Sequence, residues 1–173
     1  MKEKRFYDPT KGHGWAYTLA LAHLRRGDRV LDLCCGAGYG CEILLPKARC
    51  MTGVDYDPEA IAWATKKHPK CSFHTCDLSK DPLPLRDNTV DFITWIEGIE
   101  HLDTVDLIMR EITRVAIPGA GLFLTTPSRK APDPRHKHYY MLPDLQRIFP
   151  GCQDLGVKGW CGSRVIYWTV RMV

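Results

Sequence analysis

The chain has 173 residues, 45% of them apolar, enough for one well-filled core and too few for two, so a single domain over 1–173 is expected. A formal charge of +4 is too small to argue for a nucleic-acid face by itself, and no leader-like segment or run of eighteen apolar residues occurs, which predicts a cytoplasmic protein without a membrane span. Eight cysteines without an export signal read as reduced, packed thiols, and the absence of any C-x-x-C pair argues against a zinc ribbon or a thioredoxin-type centre.

The helical spacing of Trp15, Leu19, Ala22 and His23 predicts a first helix over 14–25, stopped by Gly27-Asp28. A strand follows over 29–34, then a short helix after Gly38 that ends before Pro46, then a second strand over 50–55. "DPEAIAWATKKH" has Asp57 as N-cap, Pro58 at the first helical position and a basic last turn. "CSFHTC" and "VDFITWI" are the third and fourth strands; a helix capped by Asp103 runs to Ala116; "AGLFLTTP" is the fifth strand. The tail adds two β-rich runs, "DLGVKGW" and "RVIYWTVRMV", separated by a Cys-Gly-Ser turn. Strands alternating with helices predict an α/β fold with a mainly parallel sheet of about seven strands, closed by an antiparallel pair.

Open α/β sheets bind ligands beyond the carboxyl ends of their strands, near the reversal of strand order. Those ends are Cys34 to Gly40, Asp55 to Asp57, Asp77-Leu78, Ile96 to His101 and Thr126 to Ser128. The first three carry an acid in or just after the strand, and acceptor-only carboxylates suit ribose hydroxyls and an adenine amino group, so a nucleoside-containing ligand is expected. The glycine stretch "VLDLCCGAGYG" does not meet the dinucleotide pattern, since Cys41 stands where the last glycine is wanted, and it lacks the lysine of a phosphate loop. What remains is a tight turn for an uncharged or cationic ligand, with Asp32 beside it and Asp55 at the next strand end.

From about residue 12 to 150 the chain resembles the class I S-adenosylmethionine-dependent methyltransferases of small single-domain type. The resemblance rests on four motifs in order: "LDLCCGAGYG", "GVDYD", "CDLSKDPLPLRDNTVDFI" and "IEGIEHL". Cys34 departs from the family, standing where it usually has a first glycine. The resemblance implies a three-layer Rossmann-like sandwich and S-adenosyl-L-methionine as cofactor. It further implies that Cys34, Gly36 and Gly38 lie against its methionine and ribose, with Asp32 near the methionine ammonium. Asp55 would accept from the ribose hydroxyls, Tyr56 would flank the adenine, and Asp77, with Leu78 beside it, would accept from the adenine amino group. The N-terminal segment 1–27 would cover the cofactor. There His13, Trp15 and Tyr17 either line the pocket or simply pack a helix on the sheet.

The reaction so implied is an in-line displacement in which the protein supplies proximity, alignment and dryness. A hydroxyl acceptor must also lose a proton, to a base or under the influence of a metal. Glu97 and His101 are the candidate catalytic residues for that step. The E-x-x-E-H segment of Glu97, Glu100 and His101 resembles that of the quinone-precursor O-methyltransferases and the small-RNA 2′-hydroxyl methyltransferases, where such groups hold a divalent metal; His136 or His138 would complete the set. A cap at Asp103 would make the segment a turn that does not gather all three side chains, so a metal-free pocket is the expectation. Residues 127–150 are the expected acceptor loop and helix, with Arg129, Lys130, Arg135 and Lys137 either meeting an anionic substrate or RNA phosphates or standing solvated. The leading expectation is methyl transfer to a small-molecule acceptor at oxygen. An RNA 2′-O-methyltransferase and a cofactor-binding relative without catalysis are the alternatives.

Overall fold

The computed structural model describes residues 13–128, 133–159 and 162–170. Helix α1 (Gly14–His23) leads into strand β1 (Arg29–Leu33), helix α2 (Tyr39–Leu44), strand β2 (Cys50–Asp55), helix α3 (Pro58–Lys67) and strand β3 (Ser72–Thr75). Strand β4 (Val90–Ile96), a one-turn 3-10 helix (Ile99–His101), helix α4 (Asp106–Val115) and strand β5 (Ala116–Pro127) follow. Helix α5 (Leu142–Ile148) and strands β6 (Gln153–Lys158) and β7 (Ser163–Thr169) complete the fold. The seven strands lie in the order β3-β2-β1-β4-β5-β7-β6, with β7 antiparallel to both β5 and β6 and every other pairing parallel. The expected α/β sandwich with its terminal antiparallel pair is therefore what the chain forms. No helix among the described residues is long and apolar enough to cross a membrane.

Period-two alternation sorts the strands between two cores. Leu31, Leu33, Ile93, Trp95, Leu122 and Leu124 face α4 and α5, where they meet Ile108, Ile112, Leu145 and Phe149. Val30, Phe92, Ile96 and Phe123 face the opposite way, toward Ala16, Tyr17 and Ala20 of α1 and Cys41 and Leu44 of α2. Helix α3 starts as its sequence requires: the Asp57 carboxylate accepts from the Glu59 and Ala60 amides at 2.9 and 3.4 Å, ahead of Pro58.

Two expectations change. Asp103 caps nothing: α4 begins at Asp106 behind Val105, which makes no side-chain cap, and the Asp103 carboxylate is held by Lys137 Nζ at 2.6 Å. A long-range ion pair has taken the acid that local sequence reserved for the helix. Strand β5 starts at Ala116, not Ala120, because Ala116 pairs with Val90 across a bulge in the β4–β5 ladder. The Cys161 part of the expected tail turn lies outside the described residues.

Between β3 and β4 the chain runs without a helix, and α4 pins it instead. The Glu111 carboxylate accepts the Leu83 amide at 2.7 Å, while Arg114 donates to the carbonyls of Leu83 and Leu85 at 3.0 and 2.8 Å and to Asp87 at 2.7 Å. One planar guanidinium thus satisfies three separate points of a loop that has no ladder of its own. Arg114→Ala should therefore lower unfolding stability by about 2 to 3 kcal/mol, and Arg114→Lys should lose most of the same amount, since an ammonium cannot span the fork; urea unfolding of the three proteins checks both.

Candidate active site

Strand order reverses between β1 and β4, and both strands leave the sheet at that point through left-handed backbone: Cys34 has φ of 57° and Glu97 has φ of 49°. Neither residue is glycine, and each conformation costs on the order of 1 to 3 kcal/mol. Cys34, at the position where glycine was expected, does what a glycine there would do.

Beyond Cys34 the stretch folds back on β2. The Cys35 amide donates to the Val54 carbonyl at 3.0 Å, the Gly36 amide to Asp55 Oδ2 at 2.8 Å, and the Gly38 amide to the Cys35 carbonyl at 3.0 Å. Gly38 has φ of 77° as the N-cap of α2, and a Cβ on it would come within 2.7 Å of the Phe73 ring. Gly40 is required for a different reason, since a Cβ there would lie 2.1 Å from the ring of Tyr17. The alternating glycines thus let β3 and α1 close on the loop.

A cavity of about 530 Å³ opens over these strand ends. Cys34, Asp55, Tyr56, Cys76, Asp77 and Leu78 form one side of its lining; Glu97, His101 and Leu102 follow β4; Ser79, Lys80, Asp103, Arg135 and Lys137 complete it. Asp55 is 8% exposed and also accepts from the Asp57 amide at 3.0 Å, so its carboxylate is fixed in direction. Tyr56 leaves its ring 74% exposed. Asp77 accepts from Lys80 at 2.8 Å and from the Ser79 amide at 3.0 Å, and the ammonium first and the amide second hold its carboxyl below the usual range.

Asp32 is placed differently from its expected partners. It is fully buried and does not line the cavity; its register partner Thr94 on β4 donates to it at 2.7 Å, Tyr17 Oη lies 3.1 Å from each carboxylate oxygen, and Cys41 Sγ lies 3.7 Å away. Burial pushes its carboxyl up to about 7 against those donors. Trp15 corrects an expectation too. Its ring packs on Gly159, after β6, where a Cβ would stand 2.6 Å from it, and not along the cavity. Of the N-terminal residues, Trp15 serves packing, Tyr17 packs its ring over Gly40 and donates its hydroxyl to Asp32, and the His13 amide donates to Tyr39 Oη at 3.1 Å.

On the other side Glu97 donates its amide to the Thr125 carbonyl at 2.9 Å, and the 3-10 turn that follows carries Glu100 and His101. Glu100 is 1% exposed; its Oε2 accepts from Thr126 at 3.0 Å, and burial first, then the charge of Glu97, push it up to about 8. Its carbonyl receives the amides of Lys137 and His138 at 2.8 and 3.2 Å, which clamps the post-β5 loop onto the turn. That clamp carries in His136, whose ring meets His101 edge-on with centroids 4.9 Å apart, whereas His138 Nε2 sits against the Asp103 carbonyl at 3.0 Å. Ligand-type atoms of Glu100, His101 and His136 lie within 4.8 Å of one another, and Glu97 Oε1, Glu100 Oε1 and His136 Nδ1 are all buried without a hydrogen-bond partner among the described residues. Glu97 stands outside this set, and His136 joins Glu100 and His101 through the loop and not through helical spacing. Mixed oxygen and nitrogen donors of this kind suit magnesium, manganese or zinc. Arg129 and Lys130 lie outside the described residues.

Sequence reasoning passed over Thr126, Thr94 and Lys80. Thr94 had a signal, a hydroxyl in an otherwise apolar strand facing the same side as Asp32. The roles of Thr126 and Lys80 depend on strand register and loop path.

A methyltransferase-domain family model matches residues 31–124. A probable S-adenosylmethionine-dependent methyltransferase of Mycolicibacterium smegmatis is 35% identical over 109 residues, covering 63% of this chain and 42% of that protein. Norajmaline N-methyltransferase of Rauvolfia serpentina is 28% identical over 158 residues, covering 86% of this chain and 52% of its own length. The chain thus spans about half the length of the curated relatives it matches. The crystal structure of YcgJ from Bacillus subtilis superposes with a TM-score of 0.80 at 17% identity, over 93% of this chain and all of that one, a likeness of fold.

Asp32 makes the site's acid–base state part of the protein's stability. Its folded value of about 7 exceeds the unfolded value, so the folded state holds the extra proton, and the associated stability is present below about pH 4 and lost as pH rises through 7. Asp32→Asn should accordingly be more stable than wild type at pH 8 by on the order of 1 to 3 kcal/mol, a margin that shrinks toward pH 5 in paired thermal melts.

Proposed function

The chain belongs to the methyltransferase-domain family, and from this premise we propose that it binds S-adenosylmethionine and transfers its methyl group to a hydroxyl oxygen of a small, uncharged acceptor. One observation carries the reading: a single cavity joins the carboxylates suited to a nucleoside, Asp55 and Asp77, to an acid–histidine group, Glu97 and His101, across the reversal of strand order. S-adenosylmethionine supplies a methyl group already activated on a sulfonium sulfur. Asp55, oriented by the Gly36 and Asp57 amides, accepts from the ribose hydroxyls; the exposed Tyr56 ring offers a face to the adenine; Asp77 and Leu78 receive the adenine edge. Cys34, Gly36 and Gly38 form the turn against the methionine side. Glu97 or His101 takes the acceptor's proton as the oxygen attacks, and the walls exclude water.

The charge of the lining supports a small neutral acceptor over RNA. Lys80, Arg135 and Lys137 are each matched by an acid, Asp77, Asp133 and Asp103, at 2.8, 2.7 and 2.6 Å, so these cations offer phosphates no surplus charge. A relative named for transfer to nitrogen makes the acceptor atom a point for direct test.

The cluster of Glu100, His101 and His136 favours a second form of the mechanism. The unpartnered buried atoms of Glu100 and His136, with Glu97 beside them, fit a divalent cation, which would lower the pKa of an acceptor hydroxyl. In that form Glu100, oriented by Thr126, and the two histidines would hold the ion, and Glu97 would face the acceptor.

Asp55→Ala should weaken S-adenosylmethionine binding by about 1 to 3 kcal/mol in calorimetry, as for loss of a charge-assisted partner; unchanged affinity would refute the cofactor assignment. Chelation separates the two forms of the mechanism: with an ion, it abolishes turnover and leaves cofactor affinity intact. Without one, chelators do nothing while His101→Ala lowers turnover by roughly 10² to 10⁴-fold. An acceptor screen yielding only N-methylated products would replace oxygen by nitrogen.

A further inference from the structure

We infer that Tyr17 is a positioning residue for the methyl donor: its hydroxyl fastens α1 to the glycine loop through the buried carboxylate of Asp32, and this fastening sets donor affinity although neither group lines the cavity. The inference rests on the donor site proposed above and adds a residue that site does not contain. Four elements meet at the Asp32 carboxylate: β1 carries it, α1 brings Tyr17 Oη to 3.1 Å from both oxygens, β4 brings Thr94 Oγ1 to 2.7 Å, and α2 brings Cys41 Sγ to 3.7 Å. Among the described residues these partners are two hydroxyls and a thiol, with no cation.

A buried carboxylate satisfied only by neutral donors is a costly way to hold a fold together, since an apolar side chain of similar volume would pack there without desolvating a charge. Groups kept at such a cost are those whose position matters to function. The geometry indicates which position. Asp32 stands two residues before Cys34, where the loop leaves β1 by left-handed backbone, and Cys41 stands three residues after Gly38, where α2 begins. The carboxylate therefore grips both ends of the loop whose Gly36 amide bonds Asp55.

Tyr17 closes the assembly from above. Its ring occupies the space that a Cβ on Gly40 would fill and meets Tyr39 edge-on at 5.6 Å, while Tyr39 Oη receives the His13 amide at the start of α1. Helix α1 thus bears on the loop at two points one turn apart, and it packs Ala16 and Ala20 on the sheet beneath, to which the Tyr17 hydroxyl adds a side-chain hydrogen bond.

The test uses the full chain as wild type, Tyr17→Phe, Asp32→Ala and the double variant. S-adenosylmethionine dissociation constants come from calorimetry, and amide exchange of residues 16–20 is followed without ligand. Tyr17→Phe keeps the ring over Gly40 and removes only the donor; it is expected to bind S-adenosylmethionine about tenfold more weakly and to exchange its α1 amides about tenfold faster. The double variant should bind no more weakly than Asp32→Ala alone, because once the carboxylate is gone the Tyr17 hydroxyl has no acceptor there to hold. Wild-type affinity in Tyr17→Phe, with or without faster exchange, would overturn the inference, as would effects that multiply in the double variant. Should Tyr17→Phe not fold, Asp32→Ala, which removes the acceptor without adding volume, decides by the same two readouts. A wild-type chain that binds no S-adenosylmethionine overturns the donor-site reading itself, and the wild-type titration alone identifies that case.

Discussion

The divergence of β1 and β4 is the constraint from which the rest of the molecule follows. After β1 the chain turns to the face covered by α1 and α2, and after β4 it turns to the face covered by α4 and α5, so the two strand ends part and leave a crevice between them. Both exits are abrupt, and both place a non-glycine residue in left-handed backbone. Such strain persists only where the surroundings over-determine it. Here they do: Cys34 is followed by the ladder-like bond of Cys35 to Val54, and Glu97 is held by Thr125 of β5.

The acids around that crevice fall into two groups by environment. Asp77 and Asp133 sit toward solvent, each hydrogen-bonded to a cation that keeps its carboxyl low. Asp32 and Glu100 are buried, receive neutral donors, and are pushed up toward neutrality or beyond it. The division matches position. The first group forms or flanks the outer parts of the fold, where ion pairs contribute little to stability and rearrange readily. The second lies behind the cavity walls, one acid under the glycine loop and one under the 3-10 turn, where low dielectric gives a single proton or hydrogen bond a large effect.

Stability for this arrangement comes from elsewhere. The two cores on either side of the sheet are apolar and filled, with Trp95, Phe92, Phe123 and Phe149 among the fully buried side chains. The loop that replaces a helix between β3 and β4 is tied down by Arg114 and Glu111 at the end of the sheet remote from the cavity. Rigid packing there coexists with strain and buried charge at the strand ends, the usual partition between a scaffold and the site it carries.

Much of this was legible in the sequence because it depends on neighbours in the chain. Apolar periodicity placed every strand and the helices between them to within a few residues, and Asp57 with Pro58 marked the start of α3 because a cap is a contact across two or three residues. The ordered acids Asp55 and Asp77 and the Glu97–His101 segment were assigned to one cavity because parallel strands bring their carboxyl ends together whatever else the chain does. Contacts between elements distant in sequence were not legible. Asp103 has the sequence of a cap and is spent on Lys137; Trp15 has the sequence of a pocket residue and packs on Gly159; His136, one of two histidines that local sequence offered, is chosen by the loop after β5, which brings it to Glu100 and His101. Sequence by itself determined the architecture and the edge of the sheet where chemistry can occur, since both follow from short-range pattern and the handedness of the chain. Only the tertiary structure decided which side chains face the cavity and which support it, because that choice is made by strand register and loop closure, between residues that no local pattern relates.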